Sequence, residues 1–244
     1  MPSAGRLIET SSYSPNDKAM LEMQLAHARI PLSPECLTSL TADCLDRGVP
    51  AQHLGEFFRV LSRVGSIGLP VSVFHNKIAE GLAKDVPSSV ILKVLQDKEL
   101  NYLTARQILI AHLSRRMTSD PAFFRVLDLT AEGLRRGLPA EGLRRIFFGR
   151  DRSLDEMDGA VRAWLHLQAI RFPYDQGLDI IMVALESGQF RQCRNCLGQV
   201  VFTARCSGTS PTKIREEMIR GMRSGRNLGE ISRVLCSAST RPAR

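Results

Sequence analysis

The sharpest chemical pattern in the sequence is Cys193-Arg194-Asn195-Cys196. Two thiols at C-x-x-C spacing can act as a redox pair or supply half of a metal site. With Cys206 and Cys236 the chain has the four thiolates that a structural zinc would take, but such sites bring two close pairs. Cys206 and Cys236 stand 30 residues apart with no histidine beside them. Cys193 also falls in the apolar series Phe190, Cys193, Leu197, Val200, where a small buried hydrophobe fits. The cysteines therefore read first as packing residues, second as a disulfide if the chain is exported, and last as the metal or redox site that Cys193, Cys196, Cys206 and Cys236 would form. His27, His53, His75, His112 and His166 lie in separate segments without H-x-x-x-H or H-x-E spacing. G-x-x-x-x-G-K-[ST], G-x-G-x-x-G and G-x-S-x-G are all missing, so no catalytic residue, metal or cofactor is assigned.

Arginine is the second candidate. Arg135 and Arg136 end one helical segment and Arg144 and Arg145 lie early in the next, so a tight hairpin brings four guanidinium groups toward one edge. Arg150 and Arg152 follow closely, and the six together form a candidate anion-binding or partner-binding set suited to phosphate or carboxylate. The competing explanation is a solvated face, since cations near helix C-termini are favoured by the helix dipole. The net charge is +8, which permits attraction to nucleic acid, anionic lipid or an acidic protein without choosing among them. Aromatic residues make up 6% and are not interleaved with the basic clusters, which weakens the nucleic-acid option.

The elements that must position these residues are helices. Apolar residues recur at 3.6-residue spacing from Leu37 to Leu235, as in Val71, Phe74, Ile78, Leu82 and in Met157, Val161, Trp164, Leu165. Leu197 to Ala204 is the best strand candidate, and it also continues a helical stripe. The breaks are alike: Cys44 to Pro50, Gly81 to Pro87 and Gly133 to Pro139 align without gaps, and Gly221 to Asn227 is a fourth copy. Gly48, Gly137, Gly188 and Gly225 suit a left-handed helix stop, with the next residue covering the last turn. Asp85 holds the same place in its copy and is expected to close differently. Gly81 aligns with Cys44 rather than Gly48, inside the helix, where it permits close packing. Gly68-Leu69-Pro70 and Arg171-Phe172-Pro173 form a second type of break between longer helices.

These features predict an all-α fold: about thirteen short helices in an array of antiparallel hairpins, either solenoid-like or closed into a compact superhelical domain. Residues 1–17 and 237–244 are rich in small polar residues without periodicity and are expected to be disordered, leaving 18–236 as a single domain. No run approaches the ~18 to 20 apolar residues of a membrane span, and the start lacks a signal peptide's apolar core, so a soluble chain is expected.

The stretch NKIAEGLAKDVPSSVILKVL, Asn76 to Leu95, resembles a recurring module of uncharacterised bacterial helical-repeat proteins in which "EGLAKGVP" precedes an amphipathic helix. The resemblance implies a helical-repeat architecture and, because many such proteins look exported, a periplasmic or envelope setting. It carries over no activity. The function expected from the residues is a non-enzymatic scaffold for protein–protein interaction. The alternatives are binding of an anionic polymer or surface through the Arg-rich segment, and a thiol or metal site at the C-x-x-C.

Overall fold

The structure, a computed structural model, describes residues 3–28, 30–113, 120–148, 152–192 and 196–237, without the side chains of residues 121, 191, 192, 236 and 237. It is all-α, and no strand occurs among the described residues. The chain divides into two compact units, Met1–Leu100 and Asn101–Arg244, where the sequence predicts one domain.

The first unit holds α1 (Ala4–Thr10), α2 (Pro15–His27), α3 (Pro34–Asp46), α4 (Ala51–Ser66), α5 (Val71–Ala83) and the first part of α6 (Ser88–His112). Helices pack on the helix two places along, α1 on α3, α2 on α4 and α3 on α5, as well as on their neighbours. Leu54, Phe57, Phe58, Leu61, Phe74 and Ile78 form the core. The segment expected to be disordered contains α1 and the start of α2. Ser3 and Ser14 accept the N-cap hydrogen bonds of these helices, Pro15 occupies the first turn of α2, and Ile8 is fully buried. The corresponding C-terminal expectation lies outside the described residues beyond Ser237.

The second unit contains α7 (Pro121–Arg135), α8 (Ala140–Phe147), α9 (Leu154–Ala169), α10 (Tyr174–Glu186), the single turn α11 (Gln189–Gln192), α12 (Cys196–Cys206), α13 (Pro211–Arg223) and α14 (Leu228–Ser237). Helix α9 is its centre. It packs against α7, α8, α10, α11 and α12 and buries Met157, Val161, Trp164 and Leu167. Its start is fixed by a capping box, with Ser153 and Glu156 each bonding the other's backbone N–H.

Seven helix endings are built on one device. The N–H of Val49, Leu69, Val86, Leu138, Phe172, Thr209 and Arg226 each bonds the carbonyl five residues back, at 2.9 or 3.0 Å. The residue before each has positive φ: Gly48, Gly68, Asp85, Gly137, Arg171, Gly208 and Gly225. This is the Schellman closure, which satisfies carbonyls that the helix end would orphan. Asp85, at φ 52, therefore closes like its glycine relatives, contrary to the sequence expectation, and the two types of break share one geometry. Gly81 does permit close packing, since a Cβ there would lie 2.7 Å from Ile91.

Candidate functional site

The sequence-predicted arginines separate into different environments. Arg135 and Arg136, at the end of α7, both close on Glu132. Arg135 donates from Nε and Nη2 at 2.6 and 2.7 Å, and Arg136 from Nε at 2.6 Å. The Arg135 hydrogen bonds, with help from Arg136 and against the effect of burial, hold the Glu132 carboxyl down at about 2. Arg144 reaches Glu141 at 3.5 Å, and Arg145 is exposed without an ion pair among the described residues. Arg152 is turned onto the end of α8, where its guanidinium donates to the carbonyls of Arg145 and Ile146 and so acts as a helix stop. Burial lowers its pKa, opposed by Glu186 and Glu156. Arg150 lies outside the described residues.

What the fold does bring together is Arg136 with Arg162 and His166. They line a groove of about 380 Å³ between α7, α9 and α12, with Leu129, Ala163 and Gly198 among the other walls. Asp158, Arg162 and His166 follow each other at four-residue intervals on α9, which puts them in one row. Arg162 donates from Nε and Nη2 to Asp158 at 2.7 and 3.3 Å. Asp158 is 2% exposed, and it also accepts from Arg125 Nε at 3.2 Å, while Arg125 Nη2 bonds Asp155 at 2.7 Å. A carboxylate held so deeply by two guanidinium groups fixes the Arg162 side chain rather than leaving it to sample solvent. The Gln168 amide donates to the Arg136 carbonyl at 2.6 Å and ties α9 to the turn after α7. On the α12 side, a Cβ at Gly198 would stand 2.7 Å from His166 Nδ1, so the glycine makes room for the ring. Phe202 lies beyond it, its ring centroid 6.3 Å from that of His166.

The chemistry available here is anion recognition. Arg136 keeps both terminal nitrogens, and Arg162 keeps Nη1, after their bonds to Glu132 and Asp158. The sequence marked Arg136 but not Arg162 or His166. The signal was the Asp158, Arg162, His166 row, but four-residue charge pairs are ordinary on solvated helix faces.

The cysteines divide as well. Cys196 is disulfide-bonded, Cys206 is a free exposed thiol, and Cys36 and Cys44 are free. Burial, with some help from Asp43, pushes the Cys44 thiol up to about 12, away from reactive thiolate character. Cys193 and the Cys236 side chain lie outside the described residues. Among the described residues no group of three or more His, Cys, Asp and Glu is placed to hold a metal ion, and no helix is long and apolar enough to cross a membrane.

Charge is divided unequally between the units. Residues 1–100 carry ten Lys and Arg against eleven Asp and Glu, and residues 101–244 carry 23 against 14. The whole positive excess belongs to the unit that holds the groove. Comparison with protein-family models, curated proteins and solved structures gives no match.

Proposed function

We propose that this chain is a non-enzymatic helical-repeat scaffold that binds a protein partner, and that the partner offers an acidic segment to the second unit. The observation that carries this reading is the groove lined by Arg136, Arg162 and His166, with Arg136 bonded to Glu132 and Arg162 to Asp158. The charge division supports it, because a positive field over one unit raises the encounter rate with an acidic surface. An envelope setting, implied by the resemblance, agrees with the disulfide at Cys196.

A second reading, binding of an anionic polymer or surface, is favoured by a separate observation. Arg205, Lys213, Arg223, Arg226 and Arg233 are exposed on α12 to α14 and make no ion pair among the described residues. The two readings separate in one binding series using a glutamate-rich peptide, heparin and a DNA duplex at rising salt. The scaffold reading expects the peptide to bind and to be weakened several-fold by Arg136→Gln with Arg162→Gln. Retention of heparin or DNA to higher salt than the peptide would replace it with the polymer reading. Failure of all three to bind above low ionic strength would remove both.

A further inference from the structure

We infer that the groove formed by Arg136, Arg162 and His166 is a phosphoryl-binding pocket, and that its ligand is a phosphorylated side chain on the protein partner. This rests on the acidic-partner reading above and names the group recognised. The first ground is the donor set. A carboxylate presents two oxygens and one charge, whereas a phosphate monoester presents three oxygens and about −1.5 to −2 charges. Two arginines and a histidine, from the end of α7 and from α9, line one groove and offer more donors than a carboxylate alone would use.

The second ground is preorganisation. Glu132 and Asp158 each take up part of a guanidinium and leave its remaining N–H groups for a ligand. Asp158 is itself held by Arg125 from α7. Ordering two long side chains is a large part of the cost of recognising an anion, and here it is met within the folded protein. The third is space. Ala163, Ala169 and Gly198 are the small residues of the wall, and about 380 Å³ accommodates a phosphorylated side chain with part of its backbone. A nucleic-acid strand is less well served, since no Phe, Tyr or Trp is among the described residues that line the groove, and Phe202 lies beyond His166.

Charge bookkeeping sets the expected strength. Among the described residues, Arg125, Arg135, Arg136 and Arg162 pair with Glu132, Asp155 and Asp158, so these ion pairs leave an excess of one positive charge. Free inorganic phosphate is therefore expected to bind weakly, and a phosphopeptide more tightly through contacts along the groove.

The test uses the full chain and isothermal calorimetry with an acidic peptide carrying one phosphoserine, its unphosphorylated counterpart, a short oligonucleotide and phosphatidic-acid vesicles. The phosphopeptide is expected to bind about tenfold more tightly than its counterpart, the size of one charge-assisted hydrogen bond at the low end of its range. Arg136→Gln and Arg162→Gln should each remove most of that advantage, and Lys93→Gln, an exposed residue of the first unit, should leave it intact. Because Arg162→Gln takes a partner from buried Asp158, Arg136→Gln and Gly198→Ala, which crowds His166, provide independent readings. Equal affinity for the two peptides, with both weakened by the arginine variants, overturns the phosphoryl pocket and leaves the acidic-partner reading standing. Binding of neither peptide overturns both. A preference for oligonucleotide or vesicles that Arg162→Gln abolishes overturns the assignment to a phosphorylated protein.

Discussion

Arg171 stands where the other breaks mostly place glycine. Its φ is 53°, in the left-handed region that costs a residue with a Cβ about 1 to 2 kcal/mol, and it is exposed. Replacing it with glycine should stabilise the chain by about 1 kcal/mol, partly offset by the greater freedom of glycine in the unfolded state. The midpoint of urea denaturation measures this, and a lower midpoint in Arg171→Gly would reject the strain. Asp85→Gly should do the same, less whatever the exposed Arg47–Asp85 pair contributes, which is about 0 to 1 kcal/mol. Gly142 is the opposite case. A Cβ there would meet Trp164 Cη2 at 2.1 Å and the Tyr174 hydroxyl at 2.5 Å, both on rings packed against each other. Gly142→Ala is expected to cost about 1 to 3 kcal/mol through overpacking, seen as a lowered melting temperature; an unchanged melt would mean the rings shift freely. The role of Gly81 was legible in the sequence because alignment of the breaks put it inside a helix. Arg171 was not, because nothing in the residue type announces a positive φ.

At the scale of the helix, α7 ends in a charge cluster that makes stability depend on acid. Glu132 has its carboxyl lowered from the ordinary 4.5 to about 2 by Arg135 and then Arg136. A depressed carboxylate contributes stability that is fully present above its unfolded pKa and disappears as pH falls through its folded one. The difference in melting temperature between the native chain and Glu132→Gln should therefore be constant above about pH 5 and close between about pH 4.5 and 2. A difference that persists unchanged into that window would show that the arginines do not stabilise the charged form. From α3 onward helix identity was legible, since 3.6-residue spacing survives even where β-branched residues gather: Leu197 to Ala204, the best strand candidate, lies within α12. The N-terminal helices were missed because Ser3, Ser14 and Pro15 read as low-complexity sequence, yet they serve as caps and a first-turn proline. The adjacent phenylalanine pairs at 57–58, 123–124 and 147–148 differ in burial. Phe57 and Phe58 are both buried, while Phe124 and Phe148 are exposed. Spacing alone cannot show whether a neighbouring helix covers the second ring.

For the molecule as a whole, the groove was illegible because Arg136, Arg162 and Gly198 belong to three helices, and no single window of sequence contains the juxtaposition. The division into two units was hidden by α6, whose residues run on without a break signal across Leu100 and Asn101. That division has a measurable consequence. Each unit buries its own set of large side chains: Phe57, Phe58 and Phe74 in the first, and Phe147, Trp164 and Phe190 in the second. Where helices contact mainly near neighbours in the chain, a local defect lowers protection most in its own contact network. Gly142→Ala, which strikes Trp164, should accelerate amide exchange in α8, α9 and α10, measured by mass spectrometry under native conditions. Amides of α3, α4 and α5 should keep their protection. Equal loss of protection across both sets would mean that opening is cooperative over the whole chain. The two units would then be a geometric division without separate stability, and binding at the second unit would stiffen the first.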